Sequence, residues 1–67
     1  MLLIDLLKVL SPNTNIVIYQ TPHKKFPPTG EVADLMQNGE ITEDMLNMRV
    51  TNVYYSIGYS SIAIEVE

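Results

Sequence analysis

The last seven residues alternate between large apolar side chains and small or charged ones. In "SIAIEVE", Ile62, Ile64 and Val66 take every second position. Because successive side chains of a strand point to opposite faces of a sheet, this alternation predicts a half-buried β-strand. Such a strand needs neighbouring strands and a layer that covers its apolar face. The closing alternation therefore restricts the chain to folds that build and cover a sheet.

Two further segments supply neighbours for this strand. "RVTNVYYSI" is rich in β-branched and aromatic residues, and Gly58 follows it, so we predict a β-hairpin with a turn at Gly58. "NIVIYQ", at about 15–20, predicts another strand. There Ile16 and Ile18 share one face, whereas Val17 points to the other.

Leucines recur in the opening segment at the spacing i, i+3, i+4 and i+7, as Leu3, Leu6, Leu7 and Leu10. This spacing puts them on one face of a helix. Pro12 then ends the helix, because the residue before a proline disfavours the helical region. A helix of about two turns is too short to be stable alone. We therefore expect it to pack on one face of the sheet.

"TEDMLNM" predicts a second short helix, near 42–48. Thr42 is a favourable N-cap, and Glu43 and Asp44 fall in the first turn, where the helix dipole favours anions. Adjacent helical residues point in different directions, so we interpret these two carboxylates as partners of the dipole and not as a catalytic pair.

"TPHKKFPPTG", residues 21–30, holds three of the four prolines and the only His and Phe. Since proline donates no backbone hydrogen bond, we expect 21–28 to be an enlarged connection between strands. Two interpretations of the next residues stay open. An extended 29–33 would pair back on the first strand, or Ala33–Gln37 would form a helical turn ended by Asn38-Gly39. We favour the extended 29–33.

Together these elements predict an α+β fold in a single domain, residues 1–67. We expect a small, mostly antiparallel sheet of three to four strands, with the short N-terminal helix packed on one face and a short helix near 42–48. A chain of this size buries only about 60% of its unfolded surface, so it needs an efficient core or self-association.

Residue counts exclude several kinds of site. With no cysteine and one histidine, the chain has neither a disulfide nor a thiolate metal site, and we expect no metal and no cofactor. The three glycines stand apart from one another, so there is no glycine-rich phosphate loop. No arrangement of a nucleophile with the histidine can be argued. We therefore expect no catalysis and assign no catalytic residue.

Charge and hydropathy limit the partners. The net charge is −4 with four basic residues, so direct nucleic-acid binding is not expected. The apolar stretch "MLLIDLLKVL" contains Asp5 and Lys8 and is shorter than the roughly 20 residues of a membrane-spanning helix. It also lacks the basic leader and cleavage site of a signal peptide. We expect a cytoplasmic protein without membrane contact.

Acidic residues are concentrated in one part of the sequence. Between Phe26 and Met48 there are five acids and no lysine or arginine. Glu40, Glu43 and Asp44 are therefore candidates for binding a basic partner surface, including one that normally holds nucleic acid. The alternative is an ordinary solvated surface around a short helix.

Tyrosines form a second candidate set: Tyr19, Tyr54, Tyr55 and Tyr59. Tyrosine is favoured at interfaces because it has a large apolar body and a polar tip. Tyr54 and Tyr55 are consecutive on a predicted strand and must face opposite sides, and Tyr19 shares its face with Val17. Apolar groups on both faces of a small sheet suggest a protein partner or a homodimer. The alternative is that exposed tyrosines only support the sheet locally.

Lys24, Lys25 and Phe26 form a third candidate set, which would grip an acidic or aromatic partner. His23 would add pH sensitivity, since histidine titrates near neutral pH. We favour the alternative, a surface loop that Phe26 anchors on the core and that the lysines keep soluble.

The segments "DLLKVLSPNTNIVIY", "GEVADL" and "V.NVYYSIG..SIAIEVE" cover most of the chain. In this outline the chain resembles small proteins encoded by phages and mobile elements of low-GC Gram-positive bacteria. The resemblance implies such an origin and an interaction with host or phage machinery, and it assigns no catalytic residue. "PHKKFPP" departs from the Asp-Gly turn that is commoner in such proteins.

We therefore expect a small non-catalytic protein–protein interaction protein, encoded by a phage or prophage, that forms a homodimer and binds a host or phage protein. Its binding surface would combine the tyrosine-bearing face of the sheet with the acidic region 31–44. One alternative is an acidic inhibitor that mimics the charge of nucleic acid against a host nuclease or defence enzyme. Another is a small-ligand-binding or enzymatic domain.

Overall fold

The computed structural model describes residues 1–21 and 26–67. The helices of these residues are α1 (Leu3–Val9), α2 (Val32–Gln37) and α3 (Glu43–Leu46). The strands are β1 (Asn15–Gln20), β2 (Thr29–Glu31), β3 (Val50–Ser56) and β4 (Ser61–Val66). They form one sheet in the order β2-β1-β4-β3. The predicted α+β class and the N-terminal helix are confirmed.

The sheet is mixed. β2 is antiparallel to β1, and β3 is antiparallel to β4 across the predicted hairpin. The two central strands, β1 and β4, are parallel, with Ile16 opposite Ile62 and Ile18 opposite Ile64. The sheet is thus mostly antiparallel as predicted, but the pairing at its centre is parallel, which the sequence patterns did not indicate.

The residues after the proline-rich connection combine both interpretations of the sequence. The extended conformation that we favoured for 29–33 ends at Glu31, and α2 starts at Val32. The prediction is therefore wrong for residues 32 and 33. Val32 and Leu35 are both buried, because helical spacing turns the two side chains toward the same core. Gly39, with φ +80°, follows the helix and allows the left-handed conformation that ends it.

One apolar core lies between the helices and the sheet. α1 contributes Leu3 and Leu7, while α2 and α3 contribute Leu35 and Met45. The opposite side of this core is one face of the central strands, built by Ile16, Ile18, Ile64 and Val66. At the start of α3, the Thr42 hydroxyl accepts a hydrogen bond from the backbone N–H of Met45 at 3.3 Å, as its N-cap role predicts.

The N-terminal residues attach to one end of β3. The N–H of Val50 donates to the carbonyl of Met1 at 2.9 Å, and the N–H of Leu3 donates to the carbonyl of Met48 at 2.9 Å. The pairing of β3 with β4 shifts register between Val50 and Asn52. This shift is a bulge-like irregularity near the same end of the strand.

No helix in the described part of the chain has the length and apolar character needed to cross a membrane.

Candidate interaction surface

The second face of the sheet, which points away from the helices, also carries buried residues. Val17 in β1 and Ala63 in β4 are directly opposite each other and are both fully buried. Tyr54 in β3 is opposite Ala63 and therefore lies on this same face. Tyr19 is two positions along β1 from Val17 and also points this way. Tyrosines therefore stand next to the buried centre of this face.

Tyr19 and Tyr59 hold each other in a defined arrangement. Their ring centroids are 6.2 Å apart and the ring planes meet at 76°, which is the edge-to-face geometry that aromatic pairs favour. The Tyr19 hydroxyl interacts with the side chains of Tyr59 and of Ser56, which is at the end of β3. Partial burial, followed by the effect of Tyr59, raises the pKa of Tyr19 above its ordinary value.

Tyr54 is connected to the same surface through a carboxylate. Its side chain interacts with the carboxylate of Glu65, which lies opposite Tyr19 in the pairing of β1 with β4. Partial burial is the largest cause that raises the pKa of Tyr54, and the Glu65 carboxylate adds to it, since its negative charge favours the protonated phenol. We call Tyr19, Tyr54 and Tyr59, with Ser56 and Glu65, the tyrosine face.

The structure separates the four predicted tyrosines. Tyr55 is opposite Ile62 and so lies on the helix side of the sheet, where 64% of it is exposed. Tyr54 and Tyr59 are 42% and 45% exposed, which leaves a large part of each ring accessible. The prediction that Tyr54 and Tyr55 point to opposite faces is confirmed.

The acidic candidates lie in the helix layer. Glu43 and Asp44 begin α3, and Glu40 precedes it and accepts a hydrogen bond from the Asn38 side chain at 2.8 Å. All three are exposed. Because the helices and the tyrosine face are on opposite sides of the sheet, the structure does not join region 31–44 and the tyrosines into one surface. A flat partner surface would reach one or the other.

The candidates in the proline-rich connection are only partly described. Lys24 and Lys25, together with His23, lie outside the described residues. Phe26 is 82% exposed, so the expectation that it anchors this connection on the core is wrong. An aromatic ring as accessible as this cannot contribute the burial on which an anchor depends.

An open apolar groove lies between the helices. It has a volume of 270 Å³ and is lined by Ile4, Leu7, Lys8, Val32, Met36 and Leu46. Lys8 is the one charged residue in this lining. No group of three or more potential metal ligands occurs among residues 1–21 and 26–67. The groove offers shape and apolar contact but few groups that could orient a polar ligand.

Two members of the tyrosine face, Ser56 and Glu65, were not among the residues chosen from the sequence. A signal for Glu65 was present, because it alternates with Ile64 and Val66 and must point away from the helices. Its neighbour Tyr54 is on another strand, so only the strand pairing brings the two together.

Comparison of this chain with protein-family models, with curated proteins and with solved structures found no match. The proposals that follow therefore rest on the sequence and the geometry of this chain.

Proposed function

We propose that this chain is a small non-catalytic protein–protein interaction protein that binds its partner through the tyrosine face. The observation that carries this proposal is the character of the second face of the sheet. Its centre is fully buried at Val17 and Ala63, and its accessible surface is provided by half-exposed tyrosines. The helices of the described part pack on the other face, and the half-exposed tyrosine rings of this face are accessible to a partner.

The chemistry of this face suits protein recognition. A phenol ring supplies a large contact area for a small loss of side-chain entropy, and its hydroxyl supplies a hydrogen bond. The contacts of Tyr19 with Tyr59 and Ser56, and of Tyr54 with Glu65, hold the rings before any partner arrives. Less ordering is then required on binding, which favours affinity.

The resemblance to small phage and mobile-element proteins leads us to propose a host or phage protein of the cytoplasm as the partner. We also propose that the chain self-associates as a homodimer. Several large apolar residues of β3 and its turn are exposed in the single chain, namely Val53, Tyr54, Tyr55, Ile57 and Tyr59. A concentration of apolar surface of this kind is typical of interaction sites.

The experiment that tests the partner is affinity capture from a host lysate with matched variants. The chain, Tyr54→Ser and Tyr55→Ser would be immobilised separately, and the retained proteins compared by mass spectrometry. Tyr54 belongs to the tyrosine face, whereas Tyr55 is on the opposite side of the same strand, so Tyr55→Ser controls for the loss of a β3 tyrosine and for any effect on self-association. We expect a retained protein to be lost with Tyr54→Ser and kept with Tyr55→Ser. Equal retention by both variants would contradict the assignment of the partner to this face.

The second candidate function is inhibition by mimicry of nucleic-acid charge. It is favoured by the exposed acids Glu40, Glu43 and Asp44, which lie together in the helix layer with no lysine or arginine between Phe26 and Met48. Simultaneous replacement of these three by lysine would abolish capture of a basic partner and leave the tyrosine face unchanged. Because the two surfaces are on opposite sides of the sheet, the two sets of variants separate the two functions.

A further inference from the structure

β3 is an edge strand with little protection. Among the strands of residues 1–21 and 26–67 it has one neighbour, β4. From Val50 to Ile64 the sequence has no charged residue and no proline. Proteins usually protect an exposed edge with lysine, proline, a bulge or a very short strand. In β3 such protection is confined to one end, where Met1 pairs with Val50 and the register shift precedes Asn52. Residues 53–56 stay open.

The opposite edge of the sheet shows the contrast. β2 has three residues, α2 follows it directly, and Pro27 and Pro28 precede it. A short strand next to prolines offers few backbone groups to an incoming strand. Strand addition is therefore favoured at β3 and not at β2.

The backbone contacts indicate which residues of β3 would pair. The N–H of Val53 donates to the side-chain Oδ1 of its neighbour Asn52 at 3.0 Å. In an antiparallel ladder every second residue directs its N–H and carbonyl away from the neighbouring strand. Val53 is one of these residues and Tyr55 is the next. The Asn52 side chain thus occupies a donor that an added strand would use.

We propose that β3 pairs with β3 of a second copy, antiparallel and around a twofold axis at Tyr54, so that two sheets become one. This inference rests on the self-association proposed above and gives it a location. Val53 would then lie opposite Tyr55 of the second copy, and this pair would occur twice. These residues are 45% and 64% exposed in the single chain. Aromatic side chains opposite β-branched ones are favourable cross-strand pairs.

Symmetry favours a second copy as the occupant, and charge does not oppose its approach along β3. Two chains of net charge −4 repel each other, and β3 is uncharged while Glu43 and Asp44 lie in the helix layer. The copies can therefore approach along β3 without placing like charges opposite one another. In a twofold arrangement of identical chains, every contact between the two copies also occurs twice. Because the paired segment is short, the buried area is small and the dimer is weak and reversible.

The first test is sedimentation equilibrium with matched charge variants, at concentrations up to about 1 mM, the weak end of the affinity range. Tyr55→Lys places a charge on the open edge, and Ala33→Lys adds the same charge at an exposed position of α2. We expect the unmodified chain and Ala33→Lys to dimerise alike and Tyr55→Lys to do so about tenfold more weakly. A chain that stays monomeric would overturn both self-association and this interface. A dimer that Tyr55→Lys leaves unchanged would overturn the interface alone.

The second test uses the absence of cysteine from the natural chain. In the proposed pair, residue 54 faces itself across the axis at a Cα separation of about 4.5 Å, which a disulfide can bridge. We expect Tyr54→Cys to form a covalent dimer under mild oxidation. Tyr55→Cys, which would face Val53, and Asn13→Cys, in an exposed loop, measure the background. Cross-linking of Tyr55→Cys in preference to Tyr54→Cys would overturn the proposed register, and circular dichroism would check that all three variants fold.

A substitution of Asn52 provides a third test, in which the dimer is expected to become stronger and not weaker. If its side chain competes with an added strand for the N–H of Val53, Asn52→Ala should strengthen the dimer by a few-fold. A weaker dimer would mean that the Asn52 side chain is needed for association, which contradicts pairing through Val53.

Discussion

Ile18 and Val17 are neighbours in β1 and both are fully buried, but they are buried on opposite sides of the sheet. Ile18 belongs to the core that the three helices of the described part cover. Val17 lies against Ala63 on the face that carries Tyr54 and Tyr19. Both residues are therefore fully buried, but different kinds of side chain surround them.

The comparison shows that the buried centres of the two faces are surrounded by different kinds of side chain. On the helix side, the central residues are aliphatic side chains buried in the main core. On the tyrosine face, rings stand beside the buried centre while their hydroxyls and exposed edges remain accessible. The first face is specialised for stability, and the second contributes to stability while it presents polar groups.

The largest effect is expected on the helix side. Ile18→Ala removes a fully buried side chain from the main core and should lower the free energy of unfolding by about 2–5 kcal/mol. Urea denaturation followed by circular dichroism measures this loss. Ile18→Val, which removes one methylene, is the matched control and should cost about 0.5–1.5 kcal/mol.

A smaller effect is expected for the adjacent residue on the other face. Val17→Ala should lower the free energy of unfolding by about 1–2 kcal/mol, because it removes two buried carbon atoms and leaves a small cavity. The measurement is the same denaturation experiment. An unchanged stability would show that the centre of the tyrosine face is not packed, and the two faces would then differ in burial as well as in chemistry.

Substitutions of Tyr54 and Tyr55 should differ in their effect on stability, because the two side chains lie on opposite faces of the sheet. Tyr54→Ser removes a partly buried ring and its interaction with Glu65, and we expect a measurably lower melting temperature. Tyr55→Ser removes a mostly exposed ring and should stay within about 0.5 kcal/mol of the natural chain. If thermal denaturation gave equal and large losses for both variants, the tyrosines would be structural and the interaction surface would lose its support.

The smallest effect concerns alkaline pH. The pKa values of Tyr19 and Tyr54 are raised in the folded chain, so at alkaline pH the unfolded chain loses these protons first. Their contribution is fully present below the ordinary tyrosine pKa and is lost as pH rises through the higher folded values. The melting temperature should therefore fall above about pH 10. In a chain with both Tyr19→Phe and Tyr54→Phe, this fall should be smaller.

Much of the local structure follows from short patterns. The strand β1, the hairpin of β3 and β4, and the start of α3 at Thr42 were each predicted, because alternation, turn residues and N-caps act over a few positions. The boundary between β2 and α2 was misplaced by two residues. There the burial of Val32 and Leu35 in the core decided the conformation, and a local pattern does not contain that information.

The sequence predicted individual residues of the candidate site but not which of them lie close together. Tyr54 and Tyr19 were chosen because of their residue type, and their face followed from alternation. Their connection through Glu65 depends on the parallel pairing of β1 with β4 and on the register of β3. The separation of Glu40 from the tyrosines likewise depends on which face the helices cover.

The sequence by itself determined most elements of this protein, though not the start of α2, and it determined the two sides of each strand, because helix and strand periods are properties of consecutive residues. The run Ile16–Val17–Ile18 even indicates that both faces of β1 are buried, as in a central strand. Only the tertiary structure decided that β4 lies beside β1, that β3 is left at the edge, and that the tyrosines share one face. Strand order depends on contacts between distant segments, and the free energy of those contacts is set by the packing of the whole chain.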